Sequence, residues 1–323
     1  MLRSASSQTC PAEESGATER PAAEKALSAG TIDHRAKPSE AEHVRRGHEL
    51  FAAQRFDEAL AAYDLAPSLA ESWLGRARTL KHLQRRDEAV AAYREALARG
   101  GDAEVISFSL AALDAAPAPP VAPTRLIVGA YDQHADHYDR HMVDVLKYRI
   151  PEHVMGALGP LPARALDVLD LGCGTGLMGA RVRPFARTLI GVDLSSQMLR
   201  IARERQIFDK LACMELLAFV RTQRACFDLV LAADVLVYFG DLSDVFAAVG
   251  NALRAGGRFG FSVESDPDRD FVLKPSLRFA HSEAHLRRRA QDHGFRVQAL
   301  ASKPLRSEAG SDVMGHVAVL RRD

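Results

Sequence analysis

The sequence is that of an α/β protein with a mostly parallel, Rossmann-like sheet, preceded by an all-α domain of helical repeats. Three observations lead there. An apolar run, Ala165 to Leu171, enters a turn with glycines at Gly172, Gly174 and Gly176, and a second apolar run then ends on Asp193. Strand and helix patterns alternate from about residue 124 to the end, the order that builds a parallel sheet covered on both faces. Upstream, apolar residues at helical spacing recur in two similar blocks.

Taken in order, residues 1–39 are polar and rich in Ala, Ser, Glu and Pro, with no period long enough to bury a face, so they are expected to be disordered. In residues 40–113, Phe56-Asp57-Glu58-Ala59 with Tyr63 and Ala66 aligns on Arg86-Asp87-Glu88-Ala89 with Tyr93 and Ala96, and small residues recur at Gly47 and Ala77. With Trp73-Leu74-Gly75 ahead of the second block, this resembles tetratricopeptide repeats (TPR). The offset of about thirty is short of the usual period of about 34, which makes the first unit atypical. Core packing is the favoured role of Tyr63, Trp73 and Tyr93, and a helix over residues 103–113 would cap the stack. Residues 114–123 hold four prolines and read as a semi-rigid linker. Residues 124–323 then form the α/β domain.

Composition narrows the function classes. The 323 residues carry 42 Lys plus Arg against 42 Asp plus Glu, so no net field favours nucleic acid. Cys10, Cys173, Cys213 and Cys226 form no C-x-x-C pair, and a reducing compartment is the simplest setting. No apolar run suits a secretory signal or a membrane span, which makes the cytoplasm the expected location.

The glycine turn carries the chemistry. Glycines at every second position let the backbone turn tightly and approach a ligand closely. Asp193, at the end of the second strand, is placed to accept hydrogen bonds from ribose hydroxyls. A dinucleotide turn would read G-x-G-x-x-G, whereas here Asp170 stands two residues before the first of three closely spaced glycines. A carboxylate there suits a ligand with positive charge and disfavours a pyrophosphate. The segment resembles class I S-adenosylmethionine (SAM)-dependent methyltransferases, whose first motif is acidic-x-G-x-G-x-G. The likeness continues at Asp193-Leu194-Ser195 with Met198, at Glu215-Leu216, at Phe227 to Leu236 and at Leu253 to Phe261.

That resemblance implies SAM as cofactor, held by Asp170, Gly172, Cys173, Gly174, Thr175, Gly176, Asp193, Leu194, Met198, Glu215, Leu216 and Ala233. Tyr138, in an entry helix that covers the cofactor in many members, would reach its methionine end. It also implies a final antiparallel strand, for which Val313 to Leu320 is the candidate. Asp228 stands at a strand start and is left out of the site. On the acceptor side the candidates are Asp234, Tyr238 and His281, with His281 the natural base because its ordinary pKa lies nearest neutrality. Asp234 could equally cap a helix and Tyr238 could simply pack. His137 and His141 lie one helical turn apart, but no third ligand accompanies them and no metal is expected. The Arg287-Arg288-Arg289 run reads as a solvated helix face.

From about residue 40 onward, the chain resembles bacterial methyltransferases that carry TPR repeats. The expected activity is methyl transfer from SAM to a small-molecule or carrier-linked acceptor, with the repeats recruiting a protein partner. The alternatives are a protein methyltransferase whose repeats dock its substrate, and a SAM-binding adaptor without catalysis. No nucleic-acid or membrane partner is expected, and the sequence leaves the oligomeric state open.

Overall fold

Five helices open the computed structural model, which describes residues 38–308 and 310–323. The disorder expected of residues 1–39 therefore falls, up to residue 37, outside the described residues. The helices are α1 (Glu40–Ala52), α2 (Phe56–Asp64), α3 (Ala70–His82), α4 (Arg86–Ala98) and α5 (Ala103–Ala111). Helix α1 starts on a reciprocal cap in which Ser39 and Glu42 each accept a bond from the other's backbone N–H, satisfying donors the helix cannot. Helix pairs α1–α2 and α3–α4 repeat the same buried residues, Ala59 with Ala89, Tyr63 with Tyr93 and Ala66 with Ala96. The glycines set the spacing: a Cβ at Gly47 or at Gly75 would stand 2.4 Å from the Tyr63 ring. Trp73 lies under the Arg99 guanidinium, 4.7 Å from its ring centroid.

The α/β part follows through α6 (Thr124–Asp132), α7 (Ala135–Arg140), a π-helical turn (His141–Val145) and α8 (Ile150–Leu158). Next come β1 (Leu166–Leu171), α9 (Leu177–Val182), β2 (Ala186–Asp193), α10 (Ser196–Glu204), β3 (Lys210–Cys213) and α11 (Leu216–Val220). The chain ends with β4 (Phe227–Ala232), α12 (Ser243–Ala252), β5 (Leu253–Ser265), β6 (Phe271–Leu273), β7 (Phe279–His281), α13 (Glu283–Asp292), β8 (Phe295–Glu308) and β9 (Ser311–Arg322). The strands run β3-β2-β1-β4-β5, all parallel, so the order reverses beside β1. Ligands in such sheets bind at that reversal, beyond the strands' carboxyl ends. Strand β9 pairs antiparallel with β5 and contains the expected Val313 to Leu320. Two apolar clusters sandwich the sheet, one around Phe246, Phe259 and Phe261 and the other around Ile150, Val154 and Leu189. Asp228 accepts the Asp167 N–H and pairs with Arg254 at 2.9 Å, at the opposite end of β4 from the site.

The proline-rich stretch does not act as a spacer. Residues 39–323 form one compact unit, and Phe108, Ala111 and Ala112 of α5 share an apolar cluster with Ala122, Leu273 and Phe279. The stretch is stitched down as well: the Ala122 N–H donates to the Tyr238 carbonyl at 2.8 Å, and the Gly240 N–H donates to the Pro120 carbonyl at 2.7 Å. Its prolines fix an extended path, while its free carbonyls and remaining N–H groups pair with the loop after β4.

Candidate active site: a cleft over the strand ends

A cleft of about 750 Å³, counting its open mouth, lies over the carboxyl ends of β1, β2 and β4, a size usual for small-molecule sites. It gathers Gly172 and Gly174, then Asp193, Leu194 and Met198, then Glu215 and Leu216, then Ala233, Asp234 and Tyr238, with Tyr138 arriving from α7. Residues separated by a hundred positions meet here because parallel strands deliver each following loop to the same edge.

The turn is shaped for a ligand. Gly172 has φ +63°, and a Cβ on it would collide with Val235 at 2.5 Å. Gly174 has φ +53° and no atom within 4 Å of the place a Cβ would occupy; its backbone is left bare toward open space. The remaining turn residues face elsewhere. The Cys173 thiol is buried against Gly191, outside the cleft lining, and burial pushes its pKa well up. Thr175 donates to Asp139 Oδ1 at 2.5 Å, and a Cβ at Gly176 would meet Phe208 and Arg205. These two residues anchor the turn and do not line the cleft.

Two buried acidic residues stand at this end of the sheet, Asp193 in the cleft lining and Asp170 at the end of β1 behind it. Asp170 is fully buried, and neither carboxylate oxygen has a hydrogen-bond partner. Burial and the neighbouring Asp193 carboxylate push its pKa up to about 8. An orphaned carboxyl is costly to bury, and a cationic ligand group would satisfy it. Asp193 is raised by burial too, although its oxygens accept the N–H groups of Gly174 and Ser195 at 2.8 Å each. Spare lone pairs on both oxygens remain for hydroxyl donors. Glu215 accepts from the Leu217 and Ala218 N–H groups at 2.9 and 2.7 Å and so caps α11. Among the described lining residues no Lys or Arg stands ready for a pyrophosphate, whereas Asp193 could accept ribose hydroxyls and Leu194, Met198, Met214 and Leu216 could take a flat base, as SAM would need.

A short helical cover closes the cleft through polar ties. Ser195 donates to Asp132 at 2.5 Å, Asp136 pairs with Arg200, and Asp139 pairs with Arg205. No residue of α6 is fully buried; Leu126 and Ile127 pack against the cluster around Phe108 and Phe279, and the polar ties add to that packing.

The acceptor side departs from expectation. His281 does not reach the cleft: at the end of β7 it is fully buried behind the loop after β4, with Nε2 2.8 Å from the Gly240 carbonyl. Burial lowers its pKa to about 4, which makes it a weak base, and its place outside the cleft lining keeps it from an acceptor. Asp234 lines the cleft but is committed. Its backbone has φ +60°, its N–H donates to Ser262, and its carboxylate pairs with Arg278 and stands 3.7 Å from Arg306. Both arginines also bind the buried Glu264, each at 2.7 Å. Asp234 caps no helix. The Tyr238 hydroxyl lies 2.6 Å from that of Tyr131, the Arg278 guanidinium sits 5.8 Å from the Tyr238 ring centroid, and burial raises the pKa of Tyr131, Tyr138 and Tyr238.

Several lining residues carried little sequence signal. Tyr131 was traceable as the partner of Tyr138 seven residues on, and Met214 as the neighbour of Glu215. Val121, Ala122, Thr124 and Ile127 belong to the proline-rich stretch and α6, where nothing in the pattern announces a site. Among the described residues no group of three or more His, Cys, Asp or Glu side chains stands ready to hold a metal ion, and no helix is long and apolar enough to cross a membrane.

Comparison with known proteins agrees with this geometry. Residues 169–259 match the model of a methyltransferase domain. A ubiquinone biosynthesis O-methyltransferase of Idiomarina loihiensis is 36% identical over 130 residues, covering 38% of this chain and 50% of that protein. A malonyl-[acyl-carrier protein] O-methyltransferase of Enterobacter lignolyticus is 30% identical over 178 residues, covering 54% of this chain and 68% of that one. This chain thus spans half of the first relative and about two thirds of the second. The crystal structure of the [4+2]-cyclase SpnF superposes with a TM-score of 0.50 at 17% identity, covering 63% of this chain and 97% of that one, a likeness of fold alone. The matched domain and the length shared with the Enterobacter enzyme establish that the chain belongs to the SAM-dependent methyltransferases.

Proposed function

We propose that the enzyme transfers a methyl group from SAM to an oxygen of a small-molecule or carrier-linked acceptor. The observation that carries this is the buried Asp170 carboxyl without a hydrogen-bond partner, beside Asp193 and just ahead of a turn whose Gly174 backbone is bare, a combination that suits a cationic, nucleoside-type ligand. The choice of oxygen draws on the two O-methyltransferase relatives. When bound, SAM supplies an electrophilic methyl carbon on a sulfonium. In this reading Asp170 holds the ligand's ammonium group, Asp193 the ribose hydroxyls, and Leu194, Met198, Met214 and Leu216 the base. Gly172, Gly174 and Ala233 give it room, with Tyr138 at its methionine end.

The acceptor wall then aligns more than it deprotonates. Attack by an oxygen on the methyl carbon breaks the carbon–sulfur bond, the electron pair leaves with sulfur, and much of the rate comes from holding the three atoms in line. Among the described acceptor-side residues no free base stands ready: Asp234 is paired, the tyrosines are shifted up and His281 is remote and weakly basic. Asp234 is assigned the positioning of Arg278 beneath Tyr238, and Tyr131 and Tyr238 the wall itself. This suits an acceptor that arrives anionic, such as a carboxylate.

Residues 40–113 are assigned as TPR-like repeats and 124–323 as the methyltransferase domain. A second reading has the repeats dock a protein, as partner or as substrate; the exposed Leu65, just past α2, and Leu97, on α4, favour it. The free thiols of Cys173, Cys213 and Cys226 suit a cytoplasmic setting. Titration of the chain with SAM and S-adenosylhomocysteine by calorimetry, followed by uptake of labelled methyl from a panel of carboxylates, phenols and carrier-bound acyl groups, tests the reading. Binding of both ligands and labelling of an oxygen acceptor are expected. Binding of neither would end it, and labelling of an intact protein alone would favour docking.

A further inference from the structure

The contacts assigned to SAM leave one part of the cleft lining without a task. Val121, Ala122, Thr124 and Ile127 line the cleft from the proline-rich stretch and the start of α6, together with Phe239 from the loop after β4. Thr124 brings the one polar side chain among these five, and none is charged. Val121 is 40% exposed, whereas Ala122 and Phe239 are only 4% and 5% exposed. An apolar strip thus runs from a covered wall to the mouth. A lone exposed valine is ordinary on a protein surface, but one continuous with a buried apolar wall inside a cleft marks a place where an apolar ligand gains by leaving water.

Position gives this strip to the acceptor. Helix α6 is tied at its far end to the ribose side, where Asp132 accepts from Ser195. Its nine residues put the two ends roughly 12 Å apart, so Thr124 and the residues before it stand away from Ser195 and its neighbour Asp193. They stand against the Tyr238 wall instead: Val121 bridges antiparallel to Phe239, and the Ala122 N–H donates to the Tyr238 carbonyl at 2.8 Å. Ala122, Ile127 and Tyr238 also share an apolar cluster with Phe108, Ala111 and Ala112 of α5. The strip is therefore built in advance, with the last helix of the repeat region behind it.

We propose that Val121 and Ile127 are specificity-determining residues that seat an unbranched aliphatic chain of the methyl acceptor, the chain leaving the cleft past Val121. A strip that is uncharged along its length and open at the mouth favours a chain over a compact polar acceptor, since the chain can continue outside. This rests on the methyltransferase reading and adds what the acceptor's non-reacting body is made of and which residues select it.

Calorimetric titration of the full chain, saturated with S-adenosylhomocysteine, with butanoate, hexanoate and octanoate tests it. Affinity should rise by about fourfold per added methylene. In Val121→Asn and in Ile127→Asn the rise should drop below about twofold per methylene, with S-adenosylhomocysteine binding showing that each variant is folded. Met314→Gln removes a side chain of similar exposure outside the cleft lining and should keep the parent's rise. No saturation by octanoate, or the same rise in the parent and both cleft variants, overturns the assignment. Failure of S-adenosylhomocysteine to bind the parent chain would instead remove the methyltransferase reading beneath it.

Discussion

Asp170 and His281 show how burial, more than residue type, sets what a titratable group does here. Asp170 has its pKa raised to about 8, so between pH 4 and pH 8 the folded chain holds a proton the unfolded chain has lost. Ligand-free stability contributed by this group therefore falls as pH rises through that window. His281 is shifted the other way, to about 4: its contribution is present above pH 6.5 and is lost as pH falls toward 4. The two oppose each other between pH 4 and 6.5, and above that only Asp170 still titrates. Asp170→Asn should thus raise the melting temperature of the ligand-free chain at pH 8 while weakening S-adenosylhomocysteine by at least about tenfold, checked by scanning calorimetry and titration. A lower melting temperature in that variant would mean the carboxyl is not strained. His281→Gln should leave the pH profile of turnover unmoved, since a base behind the cleft has no proton to take.

At the scale of elements, the cover over the cleft is held in part by side-chain ties from α6 and α7 to the glycine turn and α10. Arg205 is the hub: it pairs with Asp139 and donates to the Thr175 carbonyl at 2.6 Å, joining cover and turn. Arg205→Ala should speed S-adenosylhomocysteine release by about tenfold in stopped-flow displacement, the effect of one partly buried ion pair with its hydrogen bonds; an unchanged release rate would show the cover does not hold the ligand. Much of this level was legible in advance. The glycine turn, Asp193 and the repeated Ala59, Tyr63 and Ala66 pattern are local signals, written within one turn or one helix pair. Asp234 and Arg278 were not legible as a pair, being 44 residues apart and joined only when β7 lies beside β5. The burial of His281 was hidden for the same reason: β7, three residues long between β5 and β6, gives too short a period to say which face is covered.

For the whole molecule, the proline-rich stretch changes the picture from two modules on a spacer to one folding unit. Composition could announce its extended backbone but not that Pro120 and Ala122 would bond to the loop after β4. Phe108 of α5 is fully buried, with its ring 6.0 Å from that of Phe279. Phe108→Ala should cost about 3–5 kcal/mol and lower a single calorimetric transition shared by repeats and sheet. Two separate transitions, with the sheet's unaffected, would restore the modular view. The central claim is that the cleft is a SAM site built around the Asp170 carboxyl. It is tested most directly by calorimetric titration of the full chain with S-adenosylhomocysteine at pH 7 in two buffers of different ionisation enthalpy. Binding should release close to one proton, as the ligand's ammonium group displaces the one Asp170 holds, and Asp170→Asn should release none. No binding, or the same proton release in both proteins, would contradict it.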